Sequence, residues 1–435
     1  MQRQMSLHIF IQPDCFTLTI LCDSYIIILQ FFIRDGLHME KQKNWVETWG
    51  MSHVSLSFMS FYSRKRTFRL ILDSAISGEN IRIRLCNRHS NKTVTVGKAC
   101  AAVCDKEGRI SDMPSLRYIT FGGKDGITIE KGETAVSDAV CFKIPADTYI
   151  CVDIFIKKGK LKSGNLSNNA AFISARGGKA GETVIKRRKR IKDYVFGYAG
   201  SVLGVSLNNP IPLFQAVELL NADNASSVVC FGDSISQQGF WTKIFEEKLR
   251  SLYPGRYSVI TKAIMGNRLL RDTGKKFPLR GFMGVKGLDR VNDDIFAFEG
   301  ISHVVLWIGH NDFLQPGTIV ASKSEFAAAE EIAAGFEKLA AMIKASGACL
   351  IGMNYVPLGL SPDATPAKAE IRAELNERFC DFGIFDYKFD AYSAFVSPDN
   401  EDCPNIAYVG KDRIHPNAEG GRVLAEVIDY GIFNS

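Results

Sequence analysis

The sequence predicts an all-β sandwich of jelly-roll type, followed by an α/β domain with a doubly wound parallel sheet. Short strand-like runs separated by turn residues occupy residues 46–160. Apolar runs that alternate with amphipathic helices occupy residues 222–435. A length of 435 residues also suits two or three domains of ordinary size.

The composition is that of an ordinary globular protein. Hydrophobic residues make up 46% of the chain and charged residues 23%, which excludes a wholly disordered polypeptide. The net charge of +6 is matched by the six positive charges of the run 186–192. One basic patch does not predict a nucleic-acid partner. The eleven cysteines are scattered without metal-ligand spacing, which predicts no metal site and favours a cytoplasmic over a secreted protein.

Residues 1–45 are interpreted as a leader or upstream extension outside the fold. Residues 16–33 are apolar but are interrupted by Asp23, and a charge at the centre of a spanning helix costs about 2.5–3.5 kcal/mol. Three interpretations remain: an imperfect signal or anchor, an extra strand, or an extension upstream of the true start. We favour the last, with translation beginning at Met39, and therefore expect no stable membrane insertion.

The β region is predicted from alternation and turn residues. In residues 80–87 the side chains of Ile81, Ile83 and Leu85 point to one face and those of Arg82 and Arg84 to the other. Further strands are predicted at 68–74, 93–99, 118–121, 126–132, 140–144 and 148–157. Strands at this spacing without helices between them predict a β-sandwich. Residues 161–221, which are basic and rich in Gly and Ser, are interpreted as a connection and linker.

The second half predicts a parallel sheet. Four apolar, β-branched runs of the kind buried in such sheets occur at 226–231, 257–264, 302–309 and 349–356. A helical pattern follows the first of them, and a long amphipathic helix with apolar positions from Ala329 to Ile343 lies between the last two. Strands that alternate with helices in this way imply right-handed crossovers and a doubly wound sheet.

Polar residues follow the predicted strands, where ligands bind in sheets of this kind. The residues that stand at these strand ends are Gly232, Asp233, Ser234, Gly266, Asn267, His310, Asn311 and Asp312. Asp412 and His415 come just ahead of the final helix at about 417–430. Pro416 disfavours helical backbone at His415, so the imidazole should lie on a loop and reach over the sheet edge.

These residues suffice for a serine hydrolase. Ser234 would be the nucleophile, His415 the base that removes its proton, and Asp412 the group that orients the imidazole. The N–H groups of Ser234 and Gly266 and the side-chain amide of Asn311 would bind the oxyanion. The supporting residues are Gly232, Asp233, Asn267 and Asp312. This chemistry requires no cofactor.

At these positions the chain resembles the SGNH (GDSL-like) hydrolase family, whose blocks are named for Ser, Gly, Asn and His. The four correspond to Ser234, Gly266, Asn311 and His415, and the family places its acid three residues before the His, as Asp412 is. The resemblance covers about 224–435 and implies a flavodoxin-like hydrolase domain. The segments 266–270, 287–296, 415–429, 44–50 and 81–87 are similar to a bacterial subgroup of acylhydrolases and arylesterases associated with xylan degradation.

Two departures from the family pattern stand near the site. The first block runs Ser-Ile-Ser-Gln-Gln-Gly, one residue longer than usual before Gly239. The third block carries His310 where Val or Thr is common, and we expect this imidazole to pack or to contact solvent rather than substrate, although a role in substrate binding stays open.

The substrate is expected to be a small-molecule or polysaccharide ester. The loop 271–290 should overhang the site and carries Lys275, Phe277 and Arg280, which with His310 form a possible substrate-binding set; an ordinary solvated loop is the alternative. By resemblance we expect removal of short acyl groups, acetyl above all, from carbohydrate through an acyl-enzyme. The alternatives are a thioesterase or lysophospholipase on the same scaffold, and a non-catalytic glycan-binding protein.

Overall fold

The computed structural model describes residues 6–12, 15–22, 25–32, 44–56, 65–166, 170–186, 210–221, 224–273 and 281–434. Residues 1–42 form a compact unit separate from the rest of the chain. In that unit the strands β1 (Ser6–Gln12), β2 (Cys15–Cys22) and β3 (Tyr25–Phe32) pair antiparallel in this order. The interpretation of residues 1–45 as a leader or upstream extension stays a prediction.

The second unit begins with a region of mostly antiparallel strands. They are β4 (Asn44–Gly50), β5 (Val54–Ser55), β6 (Arg66–Ser74), β7 (Gly78–Cys86), β8 (Val94–Cys104), β9 (Ile110–Ile119), β10 (Ile127–Ile129), β11 (Thr134–Val136), β12 (Val140–Ile144), β13 (Thr148–Gly159), β14 (Ser163–Leu166), β15 (Ala171–Arg176), β16 (Pro210–Pro212) and β17 (Phe214–Asn221). One sheet has the order β10-β8-β13-β6-β15 with β9 on β8. A second has the order β11-β7-β17-β4 with β12 on β7, and a small third sheet joins β16, β14 and β5.

The first two sheets share one hydrophobic core. Ile81, Ile83 and Leu85 of β7 are fully buried, as the alternation predicts, and they join Leu70 and Ile154 of the other sheet in a single cluster. Every strand predicted between residues 68 and 157 overlaps an observed one. Two antiparallel sheets around one core agree with a sandwich, whereas the jelly-roll topology remains a prediction.

The β region extends beyond the predicted boundary at residue 160. The strands β14 to β17 lie in the segment that was predicted to be a connection, and β17 pairs with both β4 and β7 in the middle of a sheet. The β region therefore ends near Asn221. Residues 187–209, which hold most of the basic run, lie outside the described part of the chain.

The α/β region follows directly. Its principal elements are β18 (Ser226–Gly232), α1 (Ser234–Gln237), α2 (Phe240–Leu252), β19 (Tyr257–Ala263), α3 (Gly287–Val291), β20 (Ile301–Trp307), α4 (His310–Leu314), α5 (Ala329–Lys344), β21 (Cys349–Met353), α6 (Pro366–Asp381), β22 (Tyr387–Phe389), α7 (Ala391–Phe395), β23 (Val396–Ser397), β24 (Asn400–Pro404) and α8 (Ala418–Glu426). A π-helix at Asn292–Phe296 and short 3₁₀ helices at Lys323–Glu325, Ile406–Tyr408 and Tyr430–Phe433 complete it.

The main sheet of this region is parallel throughout and has the order β19-β18-β20-β21-β22. This is the flavodoxin-like order of a doubly wound sheet, which confirms the predicted fold of the hydrolase region. The order reverses at β18, between its neighbours β19 and β20, and the residues after these three strands meet at the same sheet edge. In the described part of the chain, no helix has both the length and the apolar character needed to cross a bilayer.

Candidate active site

Ser234 stands where β18 turns into α1. Asp233 is the N-cap of this short helix, and its Oδ1 accepts a hydrogen bond from the N–H of Ile235 at 3.0 Å. An aspartate is well suited to this position because its carboxylate satisfies a first-turn donor that has no partner within the helix. Ser234 is thereby fixed at the first helical position, and only 7% of the residue is exposed.

Ser234, His415 and Asp412 form a hydrogen-bonded line. His415 Nε2 lies 2.8 Å from Ser234 Oγ, and His415 Nδ1 lies 2.6 Å from Asp412 Oδ2. Because a carboxylate can only accept, the proton between the last two belongs to Nδ1, which leaves Nε2 free to accept the hydroxyl proton. These are the contacts that a nucleophile, a base and an orienting acid require.

The loop that carries Asp412 and His415 is held by its own backbone. Asp412 Oδ1 accepts from the N–H groups of Ile414 and His415, each at 3.1 Å. Burial alone would raise the pKa of the Asp412 carboxyl, but hydrogen bonds and charge attraction from His415 outweigh it, and the pKa lies below its usual value. Asp412 therefore stays ionised beside the imidazole.

Gly266 occupies a tight turn after β19. The N–H of Asn267 donates to the carbonyl of Ile264 at 3.1 Å, and Gly266 at the third position of this turn has φ +70°. Such a turn requires positive φ at that position, which glycine adopts without strain. A Cβ on Gly266 would also come within 2.7 Å of Met283 Sδ.

Asn311 lies on α4, beside this turn. Its Nδ2 donates to the carbonyl of Asn267 at 3.0 Å and approaches Asp233 Oδ2 at 3.3 Å. Gln315, one helical turn further along, donates from Nε2 to Asn311 Oδ1 at 3.0 Å and to the carbonyl of Gly266 at 2.8 Å. The structure thus brings Asn311 and the turn of Gly266 together beside Asp233, the residue that precedes Ser234.

Sequence reasoning did not find Gln315. The signal that could have found it is its spacing of four residues from Asn311, which puts both side chains on one face of a helix.

Two of the predicted supporting residues, Asp312 and Asn267, stabilise the turn after β19 through hydrogen bonds. The carboxylate of Asp312 accepts from the N–H groups of Leu269 and Leu270 at 2.6 and 2.9 Å. Burial raises the pKa of Asp312 to about 7, although these two N–H groups oppose the shift. The side-chain amide of Asn267 donates to the carbonyls of Met283 and Val285, each at 2.8 Å. The turn after β19 is therefore tied both to α4 and to the segment after residue 280.

A comparison with known protein families identifies the domain that carries this site. Residues 230–423 match the family model described as GDSL-like Lipase/Acylhydrolase. Residues 230–423 therefore form a GDSL-like lipase/acylhydrolase domain. It is accordingly an ester hydrolase. The match does not extend to the xylan-associated subgroup, which remains a prediction.

Solved structures of this class resemble part of the hydrolase. A GDSL-like lipase from Bacteroides thetaiotaomicron has 19% identity and a TM-score of 0.35, and the alignment covers 48% of this chain and 88% of that one. An acetyl xylan esterase from Geobacillus stearothermophilus has 19% identity and a TM-score of 0.36, with 47% and 93% covered. No curated protein sequence gave a significant match.

Arg290 lies within the hydrolase rather than on a substrate-facing loop. Its side chain is buried and donates to the carbonyl of Gly232 at 2.8 Å, to Asn267 Oδ1 at 2.8 Å and to Asp294 Oδ2 at 2.6 Å. Burial lowers the pKa of its guanidinium, which the Asp294 carboxylate opposes. Arg290 thus ties the strand that carries Ser234 to the turn that carries Gly266.

The predicted substrate-binding set is only partly described. Lys275, Phe277 and Arg280 lie outside the described residues. His310 does not suit a substrate contact, because 2% of it is exposed and its ring packs edge-on against Trp307 and Tyr355. The packing interpretation of His310 therefore agrees with the structure, and its place in the substrate-binding set does not.

Proposed function

We propose that this hydrolase removes short acyl groups, acetyl above all, from a carbohydrate or a related small ester, with Ser234 as the nucleophile. The observation that carries the proposal is the line Ser234–His415–Asp412, with distances of 2.8 and 2.6 Å, at the carboxyl edge of a parallel sheet. Within a GDSL-like domain, this line supports an acyl-enzyme route.

The steps follow from the contacts. His415 Nε2 takes the proton of Ser234 Oγ as the oxygen attacks the ester carbonyl, and Asp412 stabilises the imidazolium that forms. Donors at Ser234, Gly266 and Asn311 stabilise the negative oxygen of the tetrahedral intermediate. The imidazolium then protonates the departing alcohol. A water molecule, deprotonated by the same imidazole, releases the acid and restores the Ser234 hydroxyl.

The surroundings of Gly266 support a short acyl group. Met283 lies against Gly266, and Met265 stands beside it in the turn. Both methionines pack on a cluster formed by Val54, Leu56, Leu166, Ile264 and Phe282. The protein's own side chains therefore fill the apolar space next to the turn. The carbohydrate leaving group rests on the resemblance of segments such as 266–270 to the xylan-associated subgroup.

The test is a series of p-nitrophenyl esters from acetate to octanoate, followed by acetylated xylo-oligosaccharides. We expect the highest kcat/KM for acetate and no turnover by Ser234→Ala. The variant Met283→Ala should shift the preference toward longer chains, whereas Met113→Ala, at a side chain that is 47% exposed, should not.

Two results would overturn the proposal. A kcat/KM that climbs with chain length by about fourfold per methylene, equivalent to ~0.8 kcal/mol, would indicate the long pocket of a thioesterase or lysophospholipase. Absence of turnover on every ester would favour the glycan-binding alternative.

A further inference from the structure

A glutamine on the nucleophile's own helix bridges the two regions of the protein. Gln237 lies three residues after Ser234 and is 6% exposed. Its Oε1 accepts from the N–H of Met265 at 2.6 Å. Its Nε2 donates to Asn165 Oδ1 at 2.8 Å and to the carbonyl of Leu166 at 3.1 Å. One side chain thus connects the turn after β19 with β14 of the β region.

Asn165 is itself fixed from several sides. It is 2% exposed, and its Nδ2 donates to the carbonyl of Ser52 at 2.9 Å and to that of Ala263 at 3.3 Å. Its Oδ1 also accepts from the N–H of Leu166 at 2.8 Å. Asn165 therefore holds the end of β19 and the side chain of Gln237 at once, and both lead into the same turn.

These contacts flank one N–H group, that of Gly266. Gln237 holds the N–H of Met265, and Gln315 holds the carbonyl of Gly266, so side-chain amides grip the chain on both sides of the Gly266 N–H. Hydrogen bonds weaken steeply as their angle departs from linear, so a small rotation of this turn would turn its donor away from the oxyanion. The stabilisation that such a donor gives appears in the transition state rather than in substrate binding.

We infer that the β region positions the oxyanion hole of the hydrolase through Asn165 and Gln237. The inference rests on the proposed function, since it concerns the same site. Gln237 and Asn165 are positioning residues: they act on Gly266 and do not touch the reacting atoms. The α/β region alone would accordingly lack part of the support of its own catalytic turn.

The experiment compares steady-state kinetics of Gln237→Leu, Gln237→Glu and Asn165→Ala in the full chain, on p-nitrophenyl acetate. Gln237→Leu should lower kcat by about 10–100-fold with KM changed less than about threefold, as expected when an interaction of the transition state is impaired. Gln237→Glu keeps an oxygen acceptor for Met265 and should retain more kcat. Asn165→Ala should lower kcat by about tenfold, and should add little in the Gln237→Leu background because the two act through one contact.

Inhibition by a trifluoromethyl ketone supplies a second readout. Its addition product with Ser234 carries the negative oxygen, so its inhibition constant should rise by the same factor by which kcat/KM falls. A merely structural role for Gln237 would change the melting temperature without this proportionality.

The matched control is Arg250→Ala. Arg250 also joins the two regions, through ion pairs with Asp73 and Asp147. It lies near the far end of α2, about 15 Å along the helix from Phe240, and should lower stability while leaving kcat unchanged.

If Gln237→Leu and Asn165→Ala keep kcat within twofold of wild type while Ser234→Ala is inactive, the inference is overturned and the proposed function stands. An equal loss in Arg250→Ala would overturn it too. A wild type that hydrolyses no ester would overturn the proposed function and the inference with it.

Discussion

Lys262 Nζ lies 2.6 Å from Glu47 Oε1, and neither side chain is exposed to solvent. Glu47 belongs to β4 of the β region and Lys262 to β19 of the hydrolase, so a buried ion pair joins the two. The ammonium also lies 3.9 Å from the centre of the Phe298 ring. Burial raises the pKa of Glu47 to about 7, and Lys262 opposes the shift.

We expect substitutions of Glu47 and Lys262 to change the free energy of unfolding in a strongly non-additive way. Lys262→Met should lower the free energy of unfolding by about 3–5 kcal/mol, because it leaves a carboxyl buried without its partner. Glu47→Leu combined with Lys262→Met should recover most of that loss, since no charge remains buried. Urea titration of the two single variants and the double variant measures both quantities. A double variant that is as unstable as the sum of the single ones would contradict this account of the interface.

We expect His53, a buried histidine near the same interface, to make the stability of the protein sensitive to acid. Its Nε2 donates to the carbonyl of Phe214 at 2.7 Å, and its Nδ1 accepts from Ser163 Oγ at 2.9 Å, so the bound form is the neutral imidazole. Burial lowers the pKa of His53 to about 4 from its ordinary 6.5. Between these values the unfolded chain binds the extra proton, so stability is present above pH 6.5 and is lost as the pH falls toward 4.

The expected loss from His53 is on the order of 2 kcal/mol between pH 6.5 and 5. His53→Gln should show a shallower dependence, because glutamine can still donate to Phe214 but does not titrate. Urea titrations at pH 5, 6 and 7 provide the comparison. An unchanged slope in the variant would show that other groups, such as the half-buried His89, account for the acid loss.

We expect replacement of Asp412 to lower kcat without weakening substrate binding. Asp412→Asn should lower kcat by about 10³–10⁴-fold with KM nearly constant, because asparagine no longer selects the imidazole tautomer that accepts from Ser234. The exposed neighbour Lys411 offers a control on the same loop, and Lys411→Ala should retain full kcat. A loss of less than tenfold in Asp412→Asn would indicate that His415 is oriented by other contacts.

We expect replacement of Asn311 to lower kcat as well, but by a smaller factor than replacement of Asp412. Removing one oxyanion donor costs about 10²–10³ in kcat, so Asn311→Ala should fall in that range on p-nitrophenyl acetate. Because Asn311 also donates to the carbonyl of Asn267, the melting temperature must be followed in parallel. A variant that folds like wild type and keeps its kcat would remove Asn311 from the oxyanion hole.

The parallel sheet and its edge could be predicted because the signals are local. A β-branched run marks each buried strand, the polar residues follow it directly, and Pro416 marks the loop of His415. No such local signal indicates which side chains, distant in the sequence, contact each other in the folded protein. Gln237 and Asn165 are 72 residues apart, and nothing in either segment indicates that their amides meet.

Two charged residues, Glu218 and Arg290, lie in segments that were expected to be an exposed connection and an overhanging loop, yet both are buried. Glu218 lies in β17, in a run of residues that favour helices as much as strands, and it is buried because Arg82 and Arg84 bind its carboxylate at 2.7 and 2.6 Å. Arg290 stands among lysines and glycines that indicate a solvated loop, yet five carbonyl, amide, hydroxyl and carboxylate oxygens receive its hydrogen bonds. In both cases distant partners make the burial of a charge possible.

The central claim, that Ser234 is the nucleophile activated by His415, is tested most directly by covalent trapping. Diethyl p-nitrophenyl phosphate should release p-nitrophenol and leave a diethylphosphoryl group on one residue, which peptide mass spectrometry locates. We expect the adduct on Ser234, far slower labelling of His415→Ala, and none in Ser234→Ala. An adduct on a different residue, or full labelling at an unchanged rate in His415→Ala, would contradict the account.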